Sequence, residues 1–429
     1  MQQPVTNRRG RGWHFNLTAA GLCLAAWALS SPAGAQWLQW GGPDRNFKVQ
    51  TKGLAATWAD EGPRRIWQRE LGDGYASIVV DDGRLYTLYR TGEQEYSVAL
   101  DARTGRTLWE HAAPSPITPS MAEFGPGPNS TPLIVGDRVF TIGAHVLLRA
   151  FDKQTGGVLW ERDLIGEYNA PLPHRGYSCS PLAYGDTIIL LVGGMGGAGH
   201  SVMALDQATG REVWRSLSFS TQTEYSSPIL INLDGEDQLV LFRTPELFGL
   251  NPKDGKLLWT HPHAMRTGLN VSTPVWNGAD LIFSSAAYDS GAQVVRLTRS
   301  AGQTKAEQVW FSRKMRLHHG NAVVLGDYVF GSCGDFGPAF FMGMNLKTGE
   351  VLWRERGFKK ATCVYGDGKL IILDEDGELA LATVSAEKLT VHSRCQVTER
   401  ISWTVPTLVD TTLYVRDRKN IMALDLGEE

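Results

Sequence analysis

Short apolar, β-branched runs alternate with polar turns from about residue 65 to the end of the chain. Runs such as Arg138-Val-Phe-Thr-Ile142 and Tyr328-Val-Phe330 have the composition of half-buried β-strands. Many strands belong to one sentence that returns at intervals of roughly fifty residues, the mark of a repeat architecture. Its copies are Ala99-Leu-Asp-Ala-Arg-Thr-Gly-Arg-Thr-Leu-Trp109, Ala150–Trp160, Ala204–Trp214, Gly249–Trp259 and Gly343–Trp353. In each, an apolar strand ends on Asp or Asn, whose side chain accepts hydrogen bonds from backbone N–H groups just downstream. The following Gly supplies the positive φ of a tight hairpin with a bulge. A second strand then carries a Trp. One hairpin cannot bury its face alone, so the Trp is expected to dock on the next repeat.

A second signal counts the repeats independently. Eight short turns, at Asp82-Gly83, Gly136-Asp137, Gly185-Asp186, Glu236-Asp237, Asn277-Gly278, Gly326-Asp327, Gly366-Asp367 and Asp410-Thr411, each precede a β-rich strand. Before most of them stands a Ser/Thr-x-Pro strand start: Ser130-Thr-Pro132, Ser178-Cys-Ser-Pro181, Ser226-Ser-Pro228, Ser272-Thr-Pro274 and Thr404-Val-Pro406. Four strands per unit and eight units predict an all-β, eight-bladed β-propeller. The chain finishes on Ile421–Asp425, a third strand with no fourth after it, while Arg65–Glu70 is a fourth strand with no third before it. Pairing the two would close the last blade from both termini and remove an exposed edge. Blades five and seven are degenerate: Trp310 follows an irregular hairpin, and the strand near Val391–Val397 carries no Trp. The expected docking residues are Trp67, Trp109, Trp160, Trp214, Trp259, Trp310 and Trp353.

The first 35 residues read as a secretory leader, with Arg8, Arg9 and Arg11 before the apolar run Leu17–Leu29 and small residues at Ala33-Gly-Ala35. Arg8-Arg9 leaves twin-arginine export open beside the general route. The expected mature chain, residues 36–429, is one propeller with 39 basic and 45 acidic residues, a net charge of −6. No contiguous basic stretch points to nucleic acid, and no later run is long enough to span a membrane. Of the four remaining cysteines, Cys363 and Cys395 are expected about three strand spacings apart in one blade, too far for a bond. Cys333 and Cys363 are the one pair within reach, and four free buried thiols, Cys179 among them, are the expectation.

The Ala-Leu-Asp-x-x-Thr-Gly-x-x-x-Trp sentence resembles the tryptophan-docking repeat of pyrroloquinoline-quinone (PQQ) propellers, over essentially all of residues 36–429. The opening Trp37-Leu-Gln-Trp40-Gly-Gly-Pro-Asp-Arg45-Asn and the stretch His318-His319-Gly320 are similar to secreted bacterial PQQ-binding-like propellers. The resemblance implies two functional branches. Quinoprotein dehydrogenases bind PQQ and Ca²⁺ in the funnel, commonly through Glu, Asn and Asp, and many carry a Cys-Cys pair. Glu123, Asn129, Glu224, Asn270 and Asp335 are of the right types without aligning to that pattern, and no Cys-Cys occurs. The BamB-type assembly subunit works without a cofactor as a binding surface, and here Cys23 has no lipobox before it.

In a propeller the loops entering the inner strands gather at one mouth with the loops joining the second and third strands. They supply Tyr75, Arg175, Tyr177, Glu224, His319 and Trp403 from the first set, and His145, Arg243, Asp289, Asp335 and Phe336 from the second. Lys359, Lys360, Arg266 and Tyr225 join the first set. Such a rim suits a polar or anionic small ligand, or a peptide. Arg175 is expected to grip a carboxylate or phosphate in a fork. His318 and His319 are successive strand residues and are expected to face opposite ways, so no shared metal is predicted. The run Gly193–Gly199 precedes no helix and reads as a long hairpin. The predicted ligand-binding set is Arg175, Tyr177, Glu224, His319, Asp335, Asn129, Asn270 and Trp403, with no metal site and no nucleophile elbow at Ser130, Ser178 or Ser226.

Together these readings predict a periplasmic or secreted monomer that binds a ligand, peptide or protein without a complete dehydrogenase site and without a cofactor. The alternative is a PQQ- and Ca²⁺-dependent oxidoreductase acting on an alcohol or sugar.

Overall fold

The structure is a computed structural model that describes residues 36–428 other than 124, 171, 193–199, 220–224, 244, 264–268, 336–337 and 400. The expected leader, Glu224, Arg266, Phe336 and the glycine run 193–199 lie outside the described residues. Eight sheets of antiparallel strands succeed one another as blades, giving the predicted eight-bladed propeller. Blade one runs from the axis outward as Val79–Asp81, Arg84–Thr91, Gln94–Asp101 and Thr107–Pro114. The turn before each outer strand carries the expected bulge, as the register shifts at Ala99/Leu100 and Gly343/Met344 show. Closure is also as expected. Arg64–Glu70 pairs antiparallel with Asn420–Asp425, with Trp67 opposite Ala423, so the eighth blade is built from both ends of the chain.

The repeated sentence works between blades. The indole N–H of Trp109 donates to the Lys153 carbonyl of the next blade at 3.2 Å, and that of Trp160 to the Gln207 carbonyl at 3.1 Å. Trp67, Trp214, Trp310 and Trp353 repeat the bond to Ala102, Pro252, Leu346 and Ser385. Each acceptor in the regular copies follows the Asp or Asn that organises the turn; Asp101 Oδ1 accepts from the Thr104 N–H at 2.8 Å and its hydroxyl at 2.7 Å. The turn glycine has two jobs. Gly156 adopts φ +75°, and a Cβ there would meet the Trp109 ring at 2.5 Å. Gly105, Gly210, Gly255 and Gly349 stand in the same relation to Trp67, Trp160, Trp214 and Trp310. Trp259 is the exception: it donates to Gln238 Oε1 at 2.8 Å, because the long hairpin Gly291–Ser300 and Gln303–Ser312 of blade five lacks the repeated turn. Trp109, Trp214, Trp259 and Trp310 are buried. Trp67, Trp160 and Trp353 are only half-buried.

One element was not foreseen. The segment that opens with Trp37 does not join a blade of its own but crosses the ring on its axis. Trp37 bridges Val80 of blade one, and the Leu38 carbonyl accepts from Ile134 N–H of blade two at 2.8 Å. Arg45 donates to the Pro181 and Ser180 carbonyls of blade three, and Lys48 Nζ to the Val324 carbonyl of blade six. Lys48–Val49 then pairs in parallel with Thr362–Gly366, making blade seven five-stranded. Sharp turns permit the path: Gly42 has φ +80°, and a Cβ there would meet the Trp37 ring at 3.1 Å. The Arg45 guanidinium is fully enclosed, and burial lowers its pKa to about 9. Cys333, Cys363 and Cys395 are buried thiols, so the Cys333–Cys363 bridge is not formed, and the buried Cys179 thiol donates to the Ser226 carbonyl at 3.4 Å.

Two stability predictions follow from the docking geometry. Trp214→Ala is expected to cost about 3–5 kcal/mol, read as a lowered denaturation midpoint. Gly156→Ala should be more damaging than Gly136→Ala. Both glycines have positive φ, but only Gly156 faces an indole; Gly136 has open space around its Cβ position. Backbone strain alone is worth roughly 1–2 kcal/mol, so equal losses for the two variants would contradict a seating role for Gly156.

Candidate functional site

At the starts of several inner strands a polar side chain bonds to the backbone of a neighbouring blade. The Ser77 N–H donates to Thr131 Oγ1, Thr131 N–H to Ser180 Oγ, and Ser180 N–H to Ser227 Oγ, at 2.9–3.2 Å. In blade six Asn321 substitutes for the hydroxyl, accepting from Cys363 N–H at 2.8 Å and donating to its carbonyl at 2.9 Å. This girdle accounts for the Ser/Thr-x-Pro strand starts. It also fixes where the residues just upstream emerge, around the wall of a funnel-shaped cavity of ≈ 430 Å³.

The wall is largely aromatic. Tyr288, His318, His319, Trp403 and Tyr75 form a continuous run of ring contacts. Their centroids are 5.0, 4.0, 3.8 and 5.1 Å apart in that order, with His319 stacked on Trp403 at 12°. Tyr225, before the inner strand of blade four, and Trp40 of the axial segment also line the cavity. His318 Nε2 lies 2.6 Å from the Tyr288 hydroxyl. The backbone holds Tyr288 and Asp289 at successive positive φ values of 55° and 61°, conformations that non-glycine residues adopt only when their surroundings impose them. Here Arg316 supplies the constraint. It binds Asp289 at 2.6 Å and Asp335 at 3.5 Å, while Asp335 also accepts the Asp289 N–H.

Charge in the cavity is unevenly compensated. Glu375 is buried and accepts from Lys359 at 2.6 Å, Lys360 at 3.2 Å and the Trp403 indole at 2.8 Å. Burial alone would raise its pKa, but the bonds from Lys359 and Trp403 and the nearby Lys360 outweigh that and hold it below the usual carboxylate range. Arg175 and Lys360 both line the cavity. Burial, reinforced by Lys360, pushes the His318 pKa down to about 4, and burial beside His318, Lys360 and Arg175 holds His319 well below the ordinary imidazole value. Both imidazoles are therefore neutral near pH 7, and the positive charge of the wall resides on Arg175 and Lys360.

Against this geometry, Asn129, Arg175, His319, Asp335 and Trp403 of the expected ligand-binding set do share one wall. Tyr177 and Asn270 do not. Tyr177 is buried in the apolar cluster of blades two to four, and Asn270 is fully buried with its side-chain amide donating to the Phe242 carbonyl. Glu224 lies outside the described residues. The two histidines depart from expectation: His318 and His319 precede the inner strand Ala322–Leu325 and sit in a loop, so strand alternation does not separate them and both line the cavity. Sequence reasoning missed Tyr288, Glu375 and the role of Trp40. For Trp40 the signal was the dense Trp and Gly content of an opening that fits no repeat.

The comparisons with known proteins bear on this ring and funnel. A family model described as outer membrane protein assembly factor BamB matches residues 51–177 and 93–355. The chain belongs to this family of PQQ-like repeat propellers. Among solved structures, BamB from Moraxella catarrhalis superimposes with a TM-score of 0.62 at 18% identity, covering 85% of this chain and 99% of that one. Quinohemoprotein alcohol dehydrogenase from Comamonas testosteroni gives a TM-score of 0.64 at 12% identity, covering 92% and 81%. At such identities the likeness shows the fold alone. In sequence, a quinoprotein ethanol dehydrogenase of Pseudomonas putida is 32% identical over 161 residues, which is 34% of this chain and only 24% of that enzyme. The BamB-type and quinoprotein branches thus share the scaffold, and the side chains in the funnel must distinguish them.

A quinone with Ca²⁺ needs a cluster of about six to eight oxygen ligands. Among the described residues no group of three or more His, Cys, Asp or Glu is placed to hold a metal. Asp335 is already engaged by Arg316 and the Asp289 N–H. Trp403, which would offer a stacking face, is stacked against His319 and Tyr75. The described residues therefore do not fit the ligand set that the dehydrogenase resemblance implies. No helix of the described residues is long and apolar enough to cross a membrane.

Because the folded pKa of His318 is depressed, its neutral form is favoured in the folded state. Its contribution to stability is complete above the unfolded imidazole value of roughly 6.5 and is lost as pH falls towards about 4. In nitrogen-15 NMR spectra the rings of His318 and His319 should show no protonation between pH 8 and about pH 5. Titration of either ring near pH 6.5 would refute the buried, cation-flanked arrangement.

Proposed function

We propose that this chain is an exported binding module whose funnel receives a small organic anion with an apolar or aromatic body. The observation that supports this reading is the composition of the cavity. Five aromatic side chains run around its wall with Arg175 and Lys360 among them, while its carboxylate Asp335 is bound by Arg316. Arg offers a planar fork for a carboxylate or phosphate, and aromatic walls take up the rest of the ligand. A volume of ≈ 430 Å³ suits a molecule of metabolite size. The leader-like residues 8–35 and membership of a family described for outer membrane protein assembly support the exported location.

The second reading, a quinone-dependent oxidoreductase of alcohols or sugars, is favoured by the 32% identity to a quinoprotein ethanol dehydrogenase over one third of the chain. The two readings part in a single pair of assays. In the first, dye-linked oxidation of alcohols and sugars is followed after addition of PQQ and Ca²⁺. In the second, aromatic carboxylates are titrated into the wild-type chain and Arg175→Ala by calorimetry. The binding reading expects no turnover, together with an affinity that Arg175→Ala lowers by about tenfold or more, the scale of a lost charged hydrogen bond. Turnover that Asp335→Asn abolishes would establish the oxidoreductase instead.

A further inference from the structure

We propose that the axial segment makes the funnel blind, and that Trp40 is the residue that sets how deeply a ligand enters. The inference rests on the reading of the funnel as a binding site and adds the part of the ligand that it selects.

A propeller channel is open at both ends unless something fills it. Here the segment from Trp37 to Val49 is bonded to the inner strands of blades one, two, three, six and seven. Trp40 adds blade five through its indole N–H, which donates to Thr273 Oγ1 at 2.9 Å. Its ring meets Phe47 edge-on, with centroids 5.5 Å apart at 88°, and Phe47 is fully buried. Trp40 is thus braced by Thr273 and Phe47, and it also lines the cavity.

Depth follows from the chain. Ser180 belongs to the hydroxyl girdle, and its carbonyl accepts from Arg45 of the axial segment at 3.3 Å. Arg175 precedes Ser180 in the loop that leads down from the mouth, so it contributes to the wall above the girdle. Trp40 binds Thr273, which precedes Pro274 in the sequence as Ser180 precedes Pro181 and so occupies the same level of its strand start. The cation therefore lies towards the entrance and the indole at the bottom. An anion held by Arg175 would point its apolar end at Trp40, and the space between them would fix the length accepted. A blind funnel takes a whole small molecule from one side and excludes a chain threaded through the ring.

The test uses the full chain and a homologous series of probes: benzoate, phenylacetate, phenylpropionate and phenylbutyrate, titrated by calorimetry. In wild type the affinity should climb by roughly fourfold per added methylene while the ring still gains burial, and then fall once the ring meets Trp40. Trp40→Ala should move the optimum to a longer member of the series. Trp40→Phe, which keeps the contact with Phe47 but shortens the floor, should move it less and serves if the alanine variant does not fold. An unchanged length optimum in folded Trp40 variants, with binding still dependent on Arg175, would overturn the floor while leaving the binding reading intact. Absence of any Arg175-dependent binding across the series would overturn the binding reading, and this inference with it.

Discussion

The ring stands on one contact made again and again: an indole from the outer strand of one blade laid over the turn glycine of the next. The contact joins two requirements that are separate in most hairpins. The glycine must adopt a positive φ to make the turn, and it must also lack a Cβ so that the neighbouring indole can approach. Gly156 beneath Trp109 and Gly210 beneath Trp160 meet both. The indole N–H then caps the turn by bonding to its backbone, so the polar edge of the Trp is satisfied at the same place where its apolar face is buried. Among the described residues five of the eight junctions carry this contact, so stability is distributed around much of the circle, and where the next sheet lacks the repeated turn, as at blade five, the indole facing it must improvise. Trp259 does so by turning to Gln238.

This division explains what was legible in the sequence. Asp, Gly and Trp at fixed spacing are local signals repeated many times, so blade count, bulged turns and closure by Arg64–Glu70 against Asn420–Asp425 all followed from pattern. The axial segment was illegible for the opposite reason. It occurs once, and its partners lie far along the chain; Trp40 and Thr273 are 233 residues apart. The wall of the funnel falls between these cases. Loops entering the inner strands were correctly picked as its source, but one residue of displacement within a loop decides whether a side chain lines the cavity or turns into the core. Arg175 and Ser178 face the cavity, whereas Tyr177 between them is buried. Tyr288 and Glu375 stood outside any pattern. Their importance comes from partners, His318 for one and Trp403 with two lysines for the other.

The funnel owes its character to where charge has been neutralised. Two adjacent histidines in a cationic wall would repel one another if protonated, and burial keeps them neutral. Asp335 is bound by Arg316, and Glu375 is shared between two lysines and an indole. The same carboxylates that would have to gather for a hard cation are instead spent on holding loops in place. On a scaffold shared with dehydrogenases, the carboxylates of this wall hold neighbouring side chains in position.

The axial segment also dictates an order of assembly. It comes first in the chain, yet its seats are on inner strands as late as Thr362–Gly366, and the strand that follows it pairs with Asn420–Asp425. Lys48–Val49 and Arg64–Glu70 cannot reach their final places until nearly the whole polypeptide is available. A chain emerging N-terminus first must carry Trp40 without its Thr273 partner until blade five is made, and contacts of such long range are slow to form. The middle blades can zip together with their neighbours as they appear. The Lys48–Val49 end of the segment is the bolt that slides home last, and any companion that shields an unfinished ring would have that stretch to hold.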